Sequence, residues 1–348
     1  MKPNRLLALT FFAAGCGPLV TEPMPDIPET VEYDTVRIEY GDDDLVGPSS
    51  SQPLTHPQAL VGDRSIMALL AKGLVGGTNQ IIRGQFAVIE AVTGHEPTSW
   101  EQGHWVWDNT KFKRADERFS RFEITDEGEG RYAYLLVVGS KPAEMLEVFS
   151  GHFTPRSRED GVQRGFGLIR FNFDNLHAVD PDARAPRGRA AIAFRAVDGV
   201  RQVRVATFDL VEFGKTEKTS ALYEYAQFPD DTGRFKFGTR VDWLKDGDPH
   251  EVLAVDAVWT AATEGRAIAR LSGGSLEINE VLAEECWDGD SAVTFADLTP
   301  DMPGLGYEDG TSSGCAASLL EFDLDPPAFS PPEREPEIPG PHEREEAG

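Results

Sequence analysis

The chain has 348 residues, with 59 acidic against 33 basic side chains and a formal net charge of −26. A surface this acidic repels the phosphates of nucleic acids and anionic lipid headgroups, so no nucleic-acid partner is expected. Hydrophobic residues make up 40% of the chain, which is enough for the core of one large β domain.

Residues 1–15 have the pattern of a secretory signal. Lys2 and Arg5 give a short basic start, and residues 6–14 form an apolar run that only Thr10 interrupts. A run this short cannot cross about 30 Å of hydrocarbon, so it predicts a signal peptide and not a transmembrane helix.

The end of this run, Ala13-Ala14-Gly15-Cys16, resembles the lipobox of bacterial lipoproteins, with Ala13 where leucine is commoner. In that family the signal is cut before the cysteine, which then carries lipid, so the resemblance implies that Cys16 is lipidated. The residue after it is Gly17 and not aspartate, which by the same resemblance implies the outer membrane. The alternative is an ordinary signal cleavage site with a nearby thiol. Lipidation is favoured because Cys16 is the only cysteine in the first 285 residues.

The next segments predict a tether and then the start of a folded domain. Residues 16–35 are rich in proline and predict an extended tether from the membrane. Val36, Ile38 and Tyr40 alternate with charged residues and predict a first strand, and the polar residues 41–57 predict a loop. A single β-rich domain is expected over residues 36–325.

Helical spacing of apolar residues occurs in two neighbouring stretches. Residues 65–74 and 78–92 each carry an apolar stripe, and Gly76-Gly77 separates them. Thr78 is placed to cap the second stretch. The sequence therefore predicts two helices, whose stripes pack into the core because Lys72 and Arg83 are nearly the only basic residues there.

From His104 onwards apolar residues recur at every second position. Short joins such as Asp198-Gly199 are typical of hairpins, so successive strands are predicted to be antiparallel neighbours. We expect a mainly β (α+β) fold: a meander of about ten strands, curled into a half-barrel or barrel with the two N-terminal helices on its concave side. This layout is similar in architecture to the half-barrel of bacterial lipoprotein carriers and related lipid-binding lipoproteins. The alternative is a β-sandwich.

Cys286 and Cys315 are the two cysteines left in the mature chain. In an oxidising compartment such a pair predicts one structural disulfide. The alternative is a redox or metal pair, which ranks lower because the chain has no CxxC spacing and no histidine between the two cysteines. Beyond them, the Pro- and Glu-rich residues 326–348 predict a disordered acidic tail.

Motifs for metal and nucleotide binding are missing from the sequence. The chain lacks HExxH and a P-loop, and no catalytic residue, cofactor or metal site is predicted. His104 and His152 fall in predicted strands without a third ligand, and Asp288-Gly289-Asp290 is better explained as a turn than as a calcium loop. The many aromatic residues predict a β core; the functional alternative is an apolar cavity that holds an acyl chain.

Taken together, these features predict a cell-envelope lipoprotein, anchored to the outer membrane through Cys16 and facing the periplasm or the cell surface. A non-enzymatic role is expected, with lipid or another hydrophobic molecule as the ligand. The alternative is a structural lipoprotein that binds envelope proteins through its acidic surface and tail. A hydrolase with scattered catalytic residues ranks last.

Overall fold

The computed structural model describes residues 27–28, 30–40, 60–109, 118–159, 162–183, 185–211, 214, 216–242, 251–276, 279–300, 306–315 and 336–337. Its main element is one sheet of fifteen strands, in which each strand pairs antiparallel with the next along the chain. The mainly β, antiparallel meander is therefore confirmed. The sheet is not closed into a barrel, and all strands belong to one sheet, so it is not a sandwich.

The strands are β1 (Ser99–Glu101), β2 (His104–Asp108), β3 (Phe119–Gly128), β4 (Arg131–Gly139), β5 (Met145–Glu159), β6 (Val162–Asn172), β7 (Arg187–Val197), β8 (Val200–Val211), β9 (Thr219–Gln227), β10 (Gly233–Val241), β11 (Glu251–Trp259), β12 (Gly265–Gly273), β13 (Glu280–Trp287), β14 (Val293–Pro300) and β15 (Tyr307–Gly310). The estimate of about ten strands was too low. The missed strands include β1 and the strands that follow residue 279.

Alternation along each strand divides the sheet into an apolar and a polar face. On β10, for example, Phe235 and Phe237 lie in the core, whereas Arg234 and Lys236 lie on the opposite face. The turn at Asp198-Gly199 has positive φ at both residues, as the hairpin prediction requires. We call the apolar side the concave face and the polar side the convex face.

Glycine is required at two positions where the indole of a tryptophan on the neighbouring strand lies over the backbone. Gly233 pairs with Trp259, and Gly265 pairs with Trp287. A Cβ atom at either glycine would overlap the indole of its partner, so no other residue fits without a shift of the ring.

Within the described ranges, three helices accompany the sheet: α1 (Tyr33–Val36), α2 (Ile66–Thr93) and α3 (Phe173–Val179), with a 3-10 turn at Ser312–Gly314. The prediction of two helices over residues 65–92 was wrong, because α2 runs through Gly76-Gly77 without a break. Its buried stripe continues across the glycines through Leu74, Val75 and Thr78. Burial of one continuous stripe against the sheet outweighs the roughly 1 kcal/mol that each glycine costs in a helix.

The predicted first strand at residues 36–40 was also wrong. Val36, Ile38 and Tyr40 are buried in alternation, as the pattern indicated, but the segment does not join the sheet. It continues from α1 as an extended chain against the concave face. We call residues 31–40 the strap. Because Val31 and Thr35 are already buried, the folded part begins before residue 36, within the predicted tether.

The disulfide prediction is confirmed. Cys286 and Cys315 are bonded, with their Cα atoms 5.5 Å apart. The bond lies on the convex face, where both cysteines pack with Val258 and Phe295.

Several predicted segments lie outside the described residues. These are the signal at 1–15 with Cys16, most of the tether, the loop at 41–57 and, apart from residues 336–337, the tail at 326–348.

Candidate functional site

The concave face carries a band of aromatic side chains across most of the sheet. Ring centroids are 5.6 Å apart for Trp107 and Phe122, and 5.0 Å apart for Phe149 and Phe171. Further contacts of the same kind join Tyr223 to Phe237 and Tyr225 to Trp259. These rings belong to one apolar cluster with the buried stripe of α2, so the aromatic residues form a core, as the simpler prediction had it.

Helix α2 spans this face from one side of the sheet to the other. Its N-terminus lies at β13, and beyond its C-terminus the carbonyl of His95 accepts a hydrogen bond of 2.8 Å from Trp107 Nε1 on β2. At 1.5 Å per residue, its 28 residues are about 42 Å long. The helix therefore covers the interior of the curled sheet from within the same chain.

The strap runs along one rim of the sheet and is bonded to it at successive strands. Thr35 Oγ1 donates to the carbonyl of Gln163 on β6 at 2.9 Å, and Arg201 on β8 donates to the carbonyl of Arg37 at 2.7 Å. At the far end, the ring of Tyr40 lies 4.8 Å from that of Trp259 on β11. The strap thereby closes this rim of the concave face.

The strap and α2 are joined through one amide side chain. Asn79 of α2 accepts a hydrogen bond from the Ile38 amide at 2.9 Å and donates to the Ile38 carbonyl at 2.7 Å. Asn79 thus satisfies both backbone groups of a residue that has no strand partner. It also fixes the helix relative to the strap.

A buried carboxylate holds the start of α2. Glu285 Oε2 accepts hydrogen bonds from Ser65 Oγ at 2.8 Å and from the Met67 amide at 3.1 Å, while Ser65 Oγ accepts from the Ala68 amide at 3.0 Å. These bonds satisfy amide groups that a helix N-terminus otherwise leaves unpaired. Burial raises the pKa of the Glu285 carboxyl above its ordinary value, although the bonds from Met67, Ser65 and Ile66 act in the opposite direction.

This raised pKa predicts a pH dependence of stability. When a folded-state pKa lies above the unfolded value near 4.5, the contribution of the carboxyl is complete below pH 4.5 and is lost as the pH rises through the folded-state pKa. The free energy of unfolding of the native protein, minus that of Glu285→Gln, is therefore expected to fall as the pH rises from 4.5. Urea unfolding at several pH values measures this difference, with the exposed Glu90→Gln change as the control for loss of one carboxylate. A difference that grows with pH would mean that the hydrogen bonds outweigh burial.

The two histidines singled out in the sequence do not meet. His104 on β2 and His152 on β5 lie in one row across the convex face, linked through Thr125 and Ala133. Three strand spacings, about 14 Å, separate them. His104 bonds to Glu123 at 2.8 Å, and burial lowers the pKa of His152, with Arg131 and Arg170 adding to the shift. His250 lies outside the described residues.

The Asp288-Gly289-Asp290 segment forms the turn between β13 and β14. Asp288 Oδ1 accepts hydrogen bonds from the amides of Asp290 and Ala292, at 3.0 and 2.9 Å. The carboxylate therefore stabilises its own turn. In the part of the chain that the structure describes, no group of three or more His, Cys, Asp or Glu side chains is placed to hold a metal ion.

Sequence reasoning missed Glu285, Asn79 and Arg201, which fix α2 and the strap. Each is a single polar residue in an otherwise ordinary pattern, and its partner lies at least 41 positions away in the chain. One signal was available in the sequence. Glu285 occupies the same alternating positions of β13 as Ala283 and Trp287, and a charged residue on an otherwise apolar face indicates a specific buried partner.

Comparisons with known proteins gave no relative. No protein-family model matches the chain, and neither a curated protein nor a solved structure matches it significantly. Among the described helices, none is both long and apolar enough to cross a bilayer.

Proposed function

We propose that this protein is a non-enzymatic, membrane-anchored lipoprotein of the cell envelope that binds a lipid or another hydrophobic molecule between α2 and the concave face. The anchor would be lipid on Cys16, with the outer membrane as the location that the lipobox resemblance implies. In this proposal α2 is a cover that moves aside for the ligand.

The composition of α2 is the observation that carries the proposal. Gly77 and Gly84 lie on its exposed side, and a Cβ atom built at either position meets nothing within 4 Å. Neither glycine has a positive φ. Packing and backbone conformation therefore both allow alanine, which would stabilise the helix. The two glycines therefore lower the stability of α2 although neither packing nor backbone conformation requires them. Lower helix stability is expected of a segment that must move away from the concave face to admit a ligand.

Partly exposed apolar side chains offer an entry for the ligand. Val241 ends β10 and Leu276 follows β12, both at the rim opposite the strap. With Leu70 of α2 and Tyr223 of β9 they pack against the core without being fully buried. An acyl chain arriving at this rim would meet apolar surface that leads under α2.

Strengthening α2 is expected to increase the free energy of unfolding. The change Gly77→Ala with Gly84→Ala should add about 0.5–1 kcal/mol per site, because alanine loses less backbone entropy than glycine in a helix. Ala87→Gly, on the same exposed side, should have the opposite effect of similar size. Urea unfolding followed by circular dichroism measures both.

The functional test uses the same variants in native mass spectrometry of the protein beginning at Gly17, purified without detergent. Added mass that disappears on denaturation and is recovered as lipid by extraction is the expected result. The Gly77→Ala/Gly84→Ala protein should carry less lipid than the native protein, and Ala87→Gly at least as much. A clean apo mass for all three proteins would overturn the ligand proposal and favour the interaction lipoprotein instead.

A further inference from the structure

Basic side chains are concentrated in the middle of an otherwise acidic protein. Strands β6–β12 carry twelve lysines and arginines but four acidic residues, whereas the whole chain has 33 basic and 59 acidic residues. Most of the twelve lie on the convex face. The central ones, which we call the basic strip, are Arg195, Arg204, Arg234, Lys236, Arg266 and Arg270.

The pleat of the sheet places these side chains together. Phe194 and Val205 belong to the core on the concave face, so their neighbours Arg195 and Arg204 lie on the convex face. Strand register then aligns them: Arg234 pairs with Val258, and Val258 pairs with Arg266. Arg234 and Arg266 are thus two strand spacings, or about 10 Å, apart in one row.

Carboxylates on the strip neutralise only part of its charge. Asp256 is fully buried and shared, with Arg234 at 2.7 Å and Lys236 at 3.5 Å. Three glutamates pair with one arginine each: Glu224 with Arg204 at 3.2 Å, Glu284 with Arg266 at 2.6 Å and Glu280 with Arg270 at 3.3 Å. The six cations of the strip thus face four carboxylates. Among the described residues Arg195 has no ion pair. The strip therefore keeps a positive potential on a protein whose net charge is −26.

The disulfide holds Cys315 beside this strip. Cys286 pairs with Arg266 in the β12–β13 register, and Cys315 is bonded to Cys286 on the convex face. Residues 316–348, which follow Cys315, contain nine acidic and two basic residues. The most acidic end of the chain thus starts beside the most basic part of the sheet.

We propose that residues 316–348 bind the basic strip of the same chain. The strip reaches from β7 to β12, about 24 Å at the usual strand spacing, and 33 extended residues span several times that distance. A tethered segment acts at an effective concentration near the millimolar range, so modest ion pairing suffices for binding. Two residues of the segment are described: Pro336 is half-buried, and Glu337 takes part in a polar interaction.

Carbodiimide cross-linking of the full mature chain tests this inference, because the reagent joins a carboxylate to a lysine amine without a spacer. Lys236 is the lysine of the strip, and local amides of the exposed pairs Lys141–Glu144 and Lys218–Asp209 report that the reagent is active. We expect tryptic peptides that join Lys236 to a carboxylate of residues 316–348, with several-fold lower yield in 1 M NaCl. The exposed Lys141 and Lys218 should give much less of this product.

A matched pair of variants distinguishes the effect of the basic strip from the effect of the protein's total charge. Arg195→Gln with Arg204→Gln removes two cations of the strip and should lower the yield at Lys236 several-fold. Arg83→Gln with Lys141→Gln removes the same charge elsewhere and should leave the yield unchanged. Cross-links spread evenly over all lysines, or a yield insensitive to salt and to the strip variant, would overturn the inference. So would mixed-isotope products from a mixture of ¹⁴N and ¹⁵N protein, because they would show that the segment binds a second copy.

Discussion

Replacement of Phe86 by alanine is expected to lower the free energy of unfolding by about 3–5 kcal/mol. Phe86 is fully buried in the middle of α2 and belongs to the cluster that joins the helix to the concave face. Removing its ring leaves a cavity that the curled sheet cannot fill without a shift of many strands. Urea unfolding followed by tryptophan fluorescence measures the change.

Leu60→Ala serves as the control for Phe86→Ala. Leu60 is a large apolar residue with 51% of its surface exposed, so its truncation should change stability by no more than about 0.5 kcal/mol. A similarly small loss for Phe86→Ala would contradict the packing of α2 on the sheet. It would also remove the basis for treating α2 as a cover.

Loss of the disulfide is expected to cost about 3.5 kcal/mol by the chain-entropy model, since the bond closes a loop of about 30 residues. The cysteines are 29 positions apart and lie near the far end of the sheet, where β14 and β15 follow β13 and residues 60–65 bond to the start of β14. The double change Cys286→Ala/Cys315→Ala in the protein beginning at Gly17 tests this by urea unfolding.

Reducing agent provides the matched control for the disulfide. It should destabilise the native protein by a similar amount and leave the double variant unaffected. If reduction had no effect on the native protein, the bond would not contribute to stability. The variant should also weaken the cross-link between Lys236 and residues 316–348, because the C-terminal segment would no longer start beside the strip.

The sequence by itself predicted much of the sheet. Period-two alternation, as at Phe235 and Phe237, and short turns, as at Asp198-Gly199, act between neighbours in the chain, so local patterns suffice for an antiparallel meander. The disulfide followed from counting, because Cys286 and Cys315 were the two cysteines left in the mature chain. The apolar stripe of α2 was also visible, although its continuity was not.

Long-range packing decided the rest. Whether Gly76-Gly77 ends a helix depends on the surface against which the helix packs. Burial of one continuous apolar stripe on the concave face stabilises α2 by more than the two glycines destabilise it. The alternating residues 36–40 could have joined the sheet or lain across it; Asn79 and Arg201, distant in the chain, bind the strap in the second arrangement.

The basic strip exists only in the register of strands β6–β12, because arginines scattered along the sequence become neighbours when antiparallel strands align at about 4.8 Å spacing. Such contacts join residues that are far apart in the chain, so patterns between neighbouring residues do not reveal them.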